Sequence, residues 1–417
     1  MSMRNDFERH VADWLEAERP TAAPTHVLAG VRDGLASTGR RRGWLVADRW
    51  TWRHAATIAR SVRVAVALAV VASLIAILIV VAGLLGSPRP APPFGLTNPG
   101  RIAVDTADGI VLTNSDGSDR EVLVPAEGQS ISPTWSRDGL HLAYWHRRGP
   151  AGPWALMVVR ADGTDPTLVA DGITLKVREE TLNQPSNLSW SPDSRRIAYA
   201  ADEGSGTSIF VATLGRVGAA RITEPGLLAV DPAWSPNGDV IAFSGGTPLT
   251  LHVVNPDGSR EHRLGDLGEA VFWPDWSPDG AHVAIAAVTD GGDVDIYVVS
   301  ADGAQTEDVS MYPGFETSPT WSPDGTRLAW ARAPEDDAMR AWVVVADVDG
   351  SKVVEIRTDA DFAPPTWSPD GSQLFTYAMA SDGSFEAVLV LDPAGDAPVI
   401  RLPATGNTGN SNWQRLP

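Results

Sequence analysis

One five-residue phrase, Trp-Ser-Pro-Asp-Gly or a close variant, recurs along the chain and limits what it can fold into more than any other feature. It begins at Trp135 (WSRDG), Trp190 (WSPDS), Trp234 (WSPNG), Trp276 (WSPDG), Trp321 (WSPDG) and Trp367 (WSPDG). Successive tryptophans stand 55, 44, 42, 45 and 46 residues apart, and 46 more lead to Trp413 in NSNWQRLP. A period near 45 residues carrying short β segments is the mark of a propeller blade of four strands. In the third unit, residues 230–234 read as the innermost strand, 239–244 as the second, 250–255 as the third and 262–264 as the outer edge, with Asn255-Pro-Asp-Gly258 turning between the last two.

The residue types follow from the turn. Proline presets φ for the first central position, Asp or Asn bonds back to the backbone, and Gly accepts the positive φ at which the chain reverses. The tryptophan offers a large flat surface to fill the wedge between neighbouring blades. Residues 101–124 supply three further strands (RIAVDT, GIVLTN, REVLVP) with no Trp strand ahead of them, whereas Trp413 supplies an inner strand with nothing after it. Joined, they make one blade, which removes the open sheet edges. The expected fold is therefore all-β, a seven-bladed β-propeller over residues 100–417, with six blades as the competing count.

The rest of the chain reads differently. From Val64 to Gly86 it runs 23 residues without a charge, a helix of about 34 Å against a hydrocarbon core of about 30 Å, so 64–86 is expected to be a transmembrane helix. Seven arginines from Arg40 to Arg63 precede it, whereas the first stretch beyond carries Arg89 and Arg101. By the positive-inside rule the amino terminus is cytoplasmic and the propeller lies outside the cell membrane, in a single-pass arrangement. Residues 87–99 are proline-rich and read as a short extended linker. Residues 1–63 form an Arg-rich cytoplasmic segment with two short amphipathic helices, one capped by Asp6 and ended by Pro20.

Charge and composition exclude several functions. The net charge is −19, but residues 1–63 carry +4, which leaves −23 for the remainder. An acidic surface of this kind repels phosphates, so no nucleic-acid partner is expected. With no Cys in the chain, disulfides, thiol catalysis and thiolate metal sites are excluded. No metal-ligand spacing is found among the eight His, and single Asp-Gly pairs at Asp116, Asp162, Asp257, Asp302 and Asp349 read as hairpin turns rather than calcium loops. No catalytic, cofactor or metal residue is expected. A candidate binding face is expected where loops entering the inner strands meet those joining second and third strands. It carries Trp145, His146, Arg147, Arg148, Trp154, Trp273, Tyr312, Phe315 and Phe362, aromatic and Arg side chains of the kind enriched at binding hot spots.

The repeats PTWSRDGLHLAYW, LSWSPDSRRIAYA, PAWSPNGDVIAFS, PDWSPDGAHVAIA, PTWSPDGTRLAWA and PTWSPDGSQLFTY resemble the WD-repeat-like units of TolB-type propellers. That resemblance implies the fold and leaves function open, because propellers host many activities. The layout of a small cytoplasmic helical piece, one span and an outside domain is similar to that of bacterial anti-sigma factors, which implies a sigma factor as a cytoplasmic partner, although their zinc motif is absent. Prolyl oligopeptidase-type enzymes also carry propellers, but no G-x-S-x-G nucleophile turn occurs here. The resulting expectation is a membrane-anchored, extracytoplasmic, non-enzymatic module that binds or senses an envelope protein or cell-wall ligand. Two alternatives stand beside it: an anti-sigma-like regulator with the propeller as sensor, and a propeller enzyme of lyase or glycosidase type that uses the central channel.

Overall fold

The computed structural model describes residues 98–416 apart from 150–151, 176–187, 268–269, 290, 311, 313, 334–340, 361–363, 380–384 and 404–410. The expected cytoplasmic segment 1–63, the span 64–86 and most of the linker lie outside the described residues. Among the described residues there is no helix, and hence none long and apolar enough to cross a membrane. The linker ends earlier than expected, since strand β1 begins at Asn98.

Each Trp repeat gives four antiparallel strands. The chain opens with β1 (Asn98–Thr106), β2 (Gly109–Thr113) and β3 (Glu121–Pro125), then β4 (Gln129–Trp135), β5 (His141–Arg147), β6 (Trp154–Arg160) and β7 (Thr167–Ile173). The next repeats are β8 (Ser189–Trp190), β9 (Arg196–Asp202), β10 (Thr207–Thr213) and β11 (Ala219–Arg221), then β12 (Val230–Trp234), β13 (Ile241–Gly245), β14 (Thr250–Val254) and β15 (His262–Arg263). They are followed by β16 (Val271–Trp276), β17 (His282–Val288), β18 (Val294–Ser300) and β19 (Thr306–Asp308), then β20 (Phe315–Trp321), β21 (Arg327–Ala333), β22 (Ala341–Asp347) and β23 (Val354–Ala360). The last are β24 (Thr366–Trp367), β25 (Leu374–Met379), β26 (Phe385–Leu391), β27 (Ile400–Pro403) and β28 (Ser411–Leu416). Five of the sheets have four strands, and β28 completes the one begun by β1, pairing Trp413 with Ile102. The sixth has eight strands because a single parallel pair, Val294 with Phe315, joins two successive repeats.

The motif residues explain the turns that end each inner strand. The serine after each Trp is buried, and its hydroxyl donates to the Asp or Asn two residues on at 2.5–2.7 Å. The same oxygen accepts the backbone N–H five residues on, at 2.9–3.1 Å. An Asx-type bond thus closes the reversal while a hydroxyl takes up the N–H that starts the second strand. The tryptophans fill the wedges between sheets: Trp190 packs with Ile131 and Trp145 of the preceding repeat, and Trp413 with Phe375 and Tyr377. Four indoles also cross the wedge, with Trp190, Trp276, Trp321 and Trp367 donating Nε1–H to the carbonyls of Thr134, Ala233, Asp275 and Thr320 at 3.0–3.2 Å. Each bond ties one inner strand to the next, at about 1 kcal/mol apiece beyond the packing.

Within four inner strands there is a bulge, centred on Ser132, Asp231, Trp273 and Ser318, all at φ between 51° and 55° and each followed by proline. The extra residue is taken up at that positive φ, and pairing with the second strand resumes beyond it.

Candidate functional site

All seven inner strands that carry a repeat Trp converge on one cavity of about 300 Å³ at the end where the Trp turns lie. Its rim includes the residue two places after six of the seven tryptophans. In four repeats that residue is Pro236, Pro278, Pro323 or Pro369. In the two neighbouring sheets that close the chain it is Arg137 and Arg415, so the proline of the turn is exchanged for a guanidinium twice, side by side. The closure itself is tight: Gln414 Nε2 donates to Gly139 O at 2.9 Å.

In six of the seven inner strands the residue just before the Trp lines the cavity as well, and in β16 it is Asp275. Arg137, Arg415 and Asp275 are the charged residues among the side chains that line it. Asp275 is positioned by Trp321, whose backbone N–H donates to Oδ2 at 2.9 Å, as Trp234 N–H does to the Ser189 hydroxyl of the preceding repeat. Burial raises the Asp275 carboxyl above the ordinary range, opposed by that N–H bond and by the charge of Arg137. Burial also disfavours the charged form of Arg137, with Arg415 adding repulsion and Asp275 relieving it, and burial acts on Arg415 in the same direction. Two like charges held together in a half-enclosed mouth favour an anionic ligand.

The candidate face inferred from sequence does not assemble as one surface. Trp145 is fully buried, edge-on to Tyr199 at 5.3 Å, and belongs to the core. The physical reason is that β5 is a second strand, whose alternate residues point into the wedge between sheets. His146 is half-buried with Nδ1 3.1 Å from Ser130 Oγ, and burial together with Arg148 lowers its pKa against the pull of Glu127. Arg147 stacks on Trp154 at 4.4 Å and donates to Gln129 Oε1 at 2.7 Å, while Arg148 is exposed. Trp273, Tyr312 and Phe315 gather elsewhere, around β18 and β20. Phe362 lies outside the described residues. The reading from sequence missed the Arg137–Arg415 pair, although its signal was there: two repeats whose proline is replaced by the same charged residue.

Residues 250–397 match the family model of the TolB beta propeller domain. The solved TolB of Acinetobacter baumannii is similar over 76% of this chain and 66% of its own, at 16% identity and a TM-score of 0.51. The fold is that of a TolB-like β-propeller. The propeller is also similar to two groups of enzymes. An oligogalacturonate lyase solved in complex with manganese aligns over 64% of this chain and 79% of its own, at 15% identity and a TM-score of 0.51. One of two prolyl endopeptidases aligns over 76% of this chain and 51% of its own, at 14% identity and a TM-score of 0.55. In sequence, a Bacillus subtilis protein called the uncharacterized peptidase YuxL is 29% identical over 127 residues, which are 28% of this chain and 18% of that protein. The matched stretch therefore spans under a fifth of the curated relative.

These similarities correct the expectation of a module without enzymatic activity. Proteins that share this propeller are named as a peptidase, prolyl endopeptidases and a lyase.

Proposed function

We propose that this chain is a propeller enzyme of lyase type that acts on a carboxylate-bearing substrate in the central channel, with residues 64–86 holding the propeller to the outer side of the membrane. The observation that carries the reading is the channel mouth, where Arg137 and Arg415 replace the turn proline on adjacent sheets opposite the single carboxyl of Asp275 among the lining residues. Elimination next to a carboxylate needs a group that takes the α proton and cations that stabilise the charge that builds on the carboxylate. The C–H electron pair becomes the new double bond as the β substituent leaves with its own pair. Asp275, with its carboxyl raised by burial, is the proton acceptor, and the two arginines hold the substrate anion. A glycosidase uses two carboxyl groups across the scissile bond, and the described lining offers one, which favours the lyase. Among the described residues no three His, Asp or Glu side chains are placed to hold a metal, and the cationic channel mouth is the wrong donor set for one, so no step runs through a metal here.

The blade count belongs to this reading too. Seven blades are supported by the β28–β1 ladder and by the single pair that links the two halves of the eight-stranded sheet.

The test uses the full-length protein and acidic oligosaccharides such as oligogalacturonate, following the ultraviolet absorbance of the unsaturated product. Turnover is expected in the wild type and a loss of about a hundredfold or more in Arg137→Pro, since one electrostatic donor at a reacting site typically supplies that much. Arg137→Pro restores the residue of the other repeats and should fold. An uncharged analogue turned over as fast as the acidic substrate would sink the reading.

A further inference from the structure

Near the start of β20, at the far end of that strand from the channel mouth, ionised side chains gather that the lyase reading does not use. Glu316 is 0% exposed, and its Oε1 accepts from Trp330 Nε1 at 2.7 Å and from Arg332 Nε at 2.6 Å. Arg332 also reaches Glu355 at 2.6 Å and lies with its Cζ 3.9 Å from the centre of the Tyr312 ring. These contacts leave Oε2 of Glu316 buried with no hydrogen-bond partner among the described residues, and the same is true of Oδ1 of Asp295.

Asp295 is 8% exposed. Burial and the charges of Asp308, Glu316 and Asp293 push its carboxyl up to about 6, with Arg332 opposing them. Carboxyl groups of β19, β20 and the loop before β18 thus act on Asp295, while Glu316 and Glu355 already engage the one guanidinium that opposes them. A buried carboxylate oxygen without a hydrogen-bond partner is unfavourable, and a cation or a proton relieves it. Apolar surface stands beside it: Phe315, 45% exposed, pairs with Val294, the neighbour of Asp295, and Trp273 packs on the cluster that holds Val294 and Ile296.

We propose that Asp295 and Glu316 form a seat for an organic cation, a primary ammonium on an apolar stem, with the stem lying along Phe315 and Trp273. Carboxylates beside exposed aromatic faces are the environment such a cation prefers. A bare divalent ion fits less well, because no three carboxylates among the described residues are placed to coordinate one. The same chemistry could come from a small free amine or from a lysine side chain of a protein partner, and the test separates them.

Isothermal titration of the full-length protein near neutral pH uses cadaverine, a short peptide with one lysine, and magnesium and calcium salts. Saturable binding is expected for at least one amine, and the tighter of the two identifies the source. It should weaken about tenfold or more in Asp295→Asn, and likewise in the wild type as pH falls below about 6, where Asp295 takes up a proton amid Asp293, Asp308, Glu316 and Arg332. Asp295→Asn removes like-charge repulsion, so its melting temperature should hold or rise, which separates lost binding from lost folding. The proposal is overturned if neither amine binds, if the variant binds as well as the wild type, or if the divalent salts bind in the amines' place. In the first case, a variant that is merely more stable would show Asp295 to be a protonated core group.

Discussion

At the scale of single residues the structure separates two roles that the sequence pattern merges. The glycines of the repeat are there for backbone conformation, yet at one of them a second constraint operates. Gly139 has a φ of +68°, and a Cβ placed on it would stand 1.8 Å from the carbonyl oxygen of Arg415. Gly204 has a φ of +84° with nothing within 4 Å of such a Cβ. Gly204→Ala should therefore cost the left-handed penalty alone, about 1–2 kcal/mol. Gly139→Ala should cost several kcal/mol, because it also drives apart the strands that close the chain. Chemical denaturation of both variants checks this, and equal losses would show that the Gly139 contact is readily relieved.

At the scale of elements the decisive strand is β28. It supplies the inner strand of a sheet whose other three strands lie more than 280 residues earlier in the chain, and its Trp413, 4% exposed, packs with Phe375, Tyr377 and Leu402 of the adjacent sheet. Removing residues 405–417 takes away that ladder, the wedge tryptophan and the Gln414–Gly139 bond together. Loss of a large buried aromatic alone costs about 3–5 kcal/mol, a sizeable part of the 5–15 kcal/mol typical of a domain. The truncated protein should melt markedly lower and in one step, with protease cutting throughout residues 98–404. Melting at the wild-type temperature would mean that β28 is an ornament on an already closed structure.

At the scale of the whole molecule, two populations of carboxyl groups pull stability in opposite directions with pH. Asp193, Asp324 and Asp370 feel burial, which would raise them, but the motif serine hydroxyls and backbone N–H groups outweigh it and hold them below the ordinary value. Their contribution is present above about pH 4, the unfolded value, and is lost as pH falls further. Asp295, Asp275 and Glu261 are raised, chiefly by burial. Such groups take up a proton in the folded state first, so stability grows as pH falls from above about 6 toward about 4. The net charge of −19 adds general repulsion at neutral pH that acid relieves. Melting temperature should thus rise between pH 7 and about 5 and drop below about 4, with Asp295→Asn flattening the upper limb. A steady decline from pH 7 downward would contradict this.

The sequence by itself determined the strands and turns, because their causes are local. Proline, Asx and glycine at fixed offsets after each Trp dictate a reversal, and the third repeat, read as strands at 230–234, 239–244, 250–255 and 262–264, folds as Val230–Trp234, Ile241–Gly245, Thr250–Val254 and His262–Arg263. The union of β28 with β1 was legible as well, since an inner strand without followers and three strands without an inner strand can each satisfy the other's edge. Tertiary structure alone decided the sites. Which face of β5 turns into a wedge sends Trp145 to the core while leaving Arg148 exposed. Arg137 and Arg415 lie far apart in the chain yet line one cavity because β28 pairs with β1 beside β4, and Asp295 and Glu316, on β18 and β20, each come to hold one buried carboxylate oxygen without a hydrogen-bond partner. Charge proximity and burial depend on distance through space, and no period along the chain encodes them.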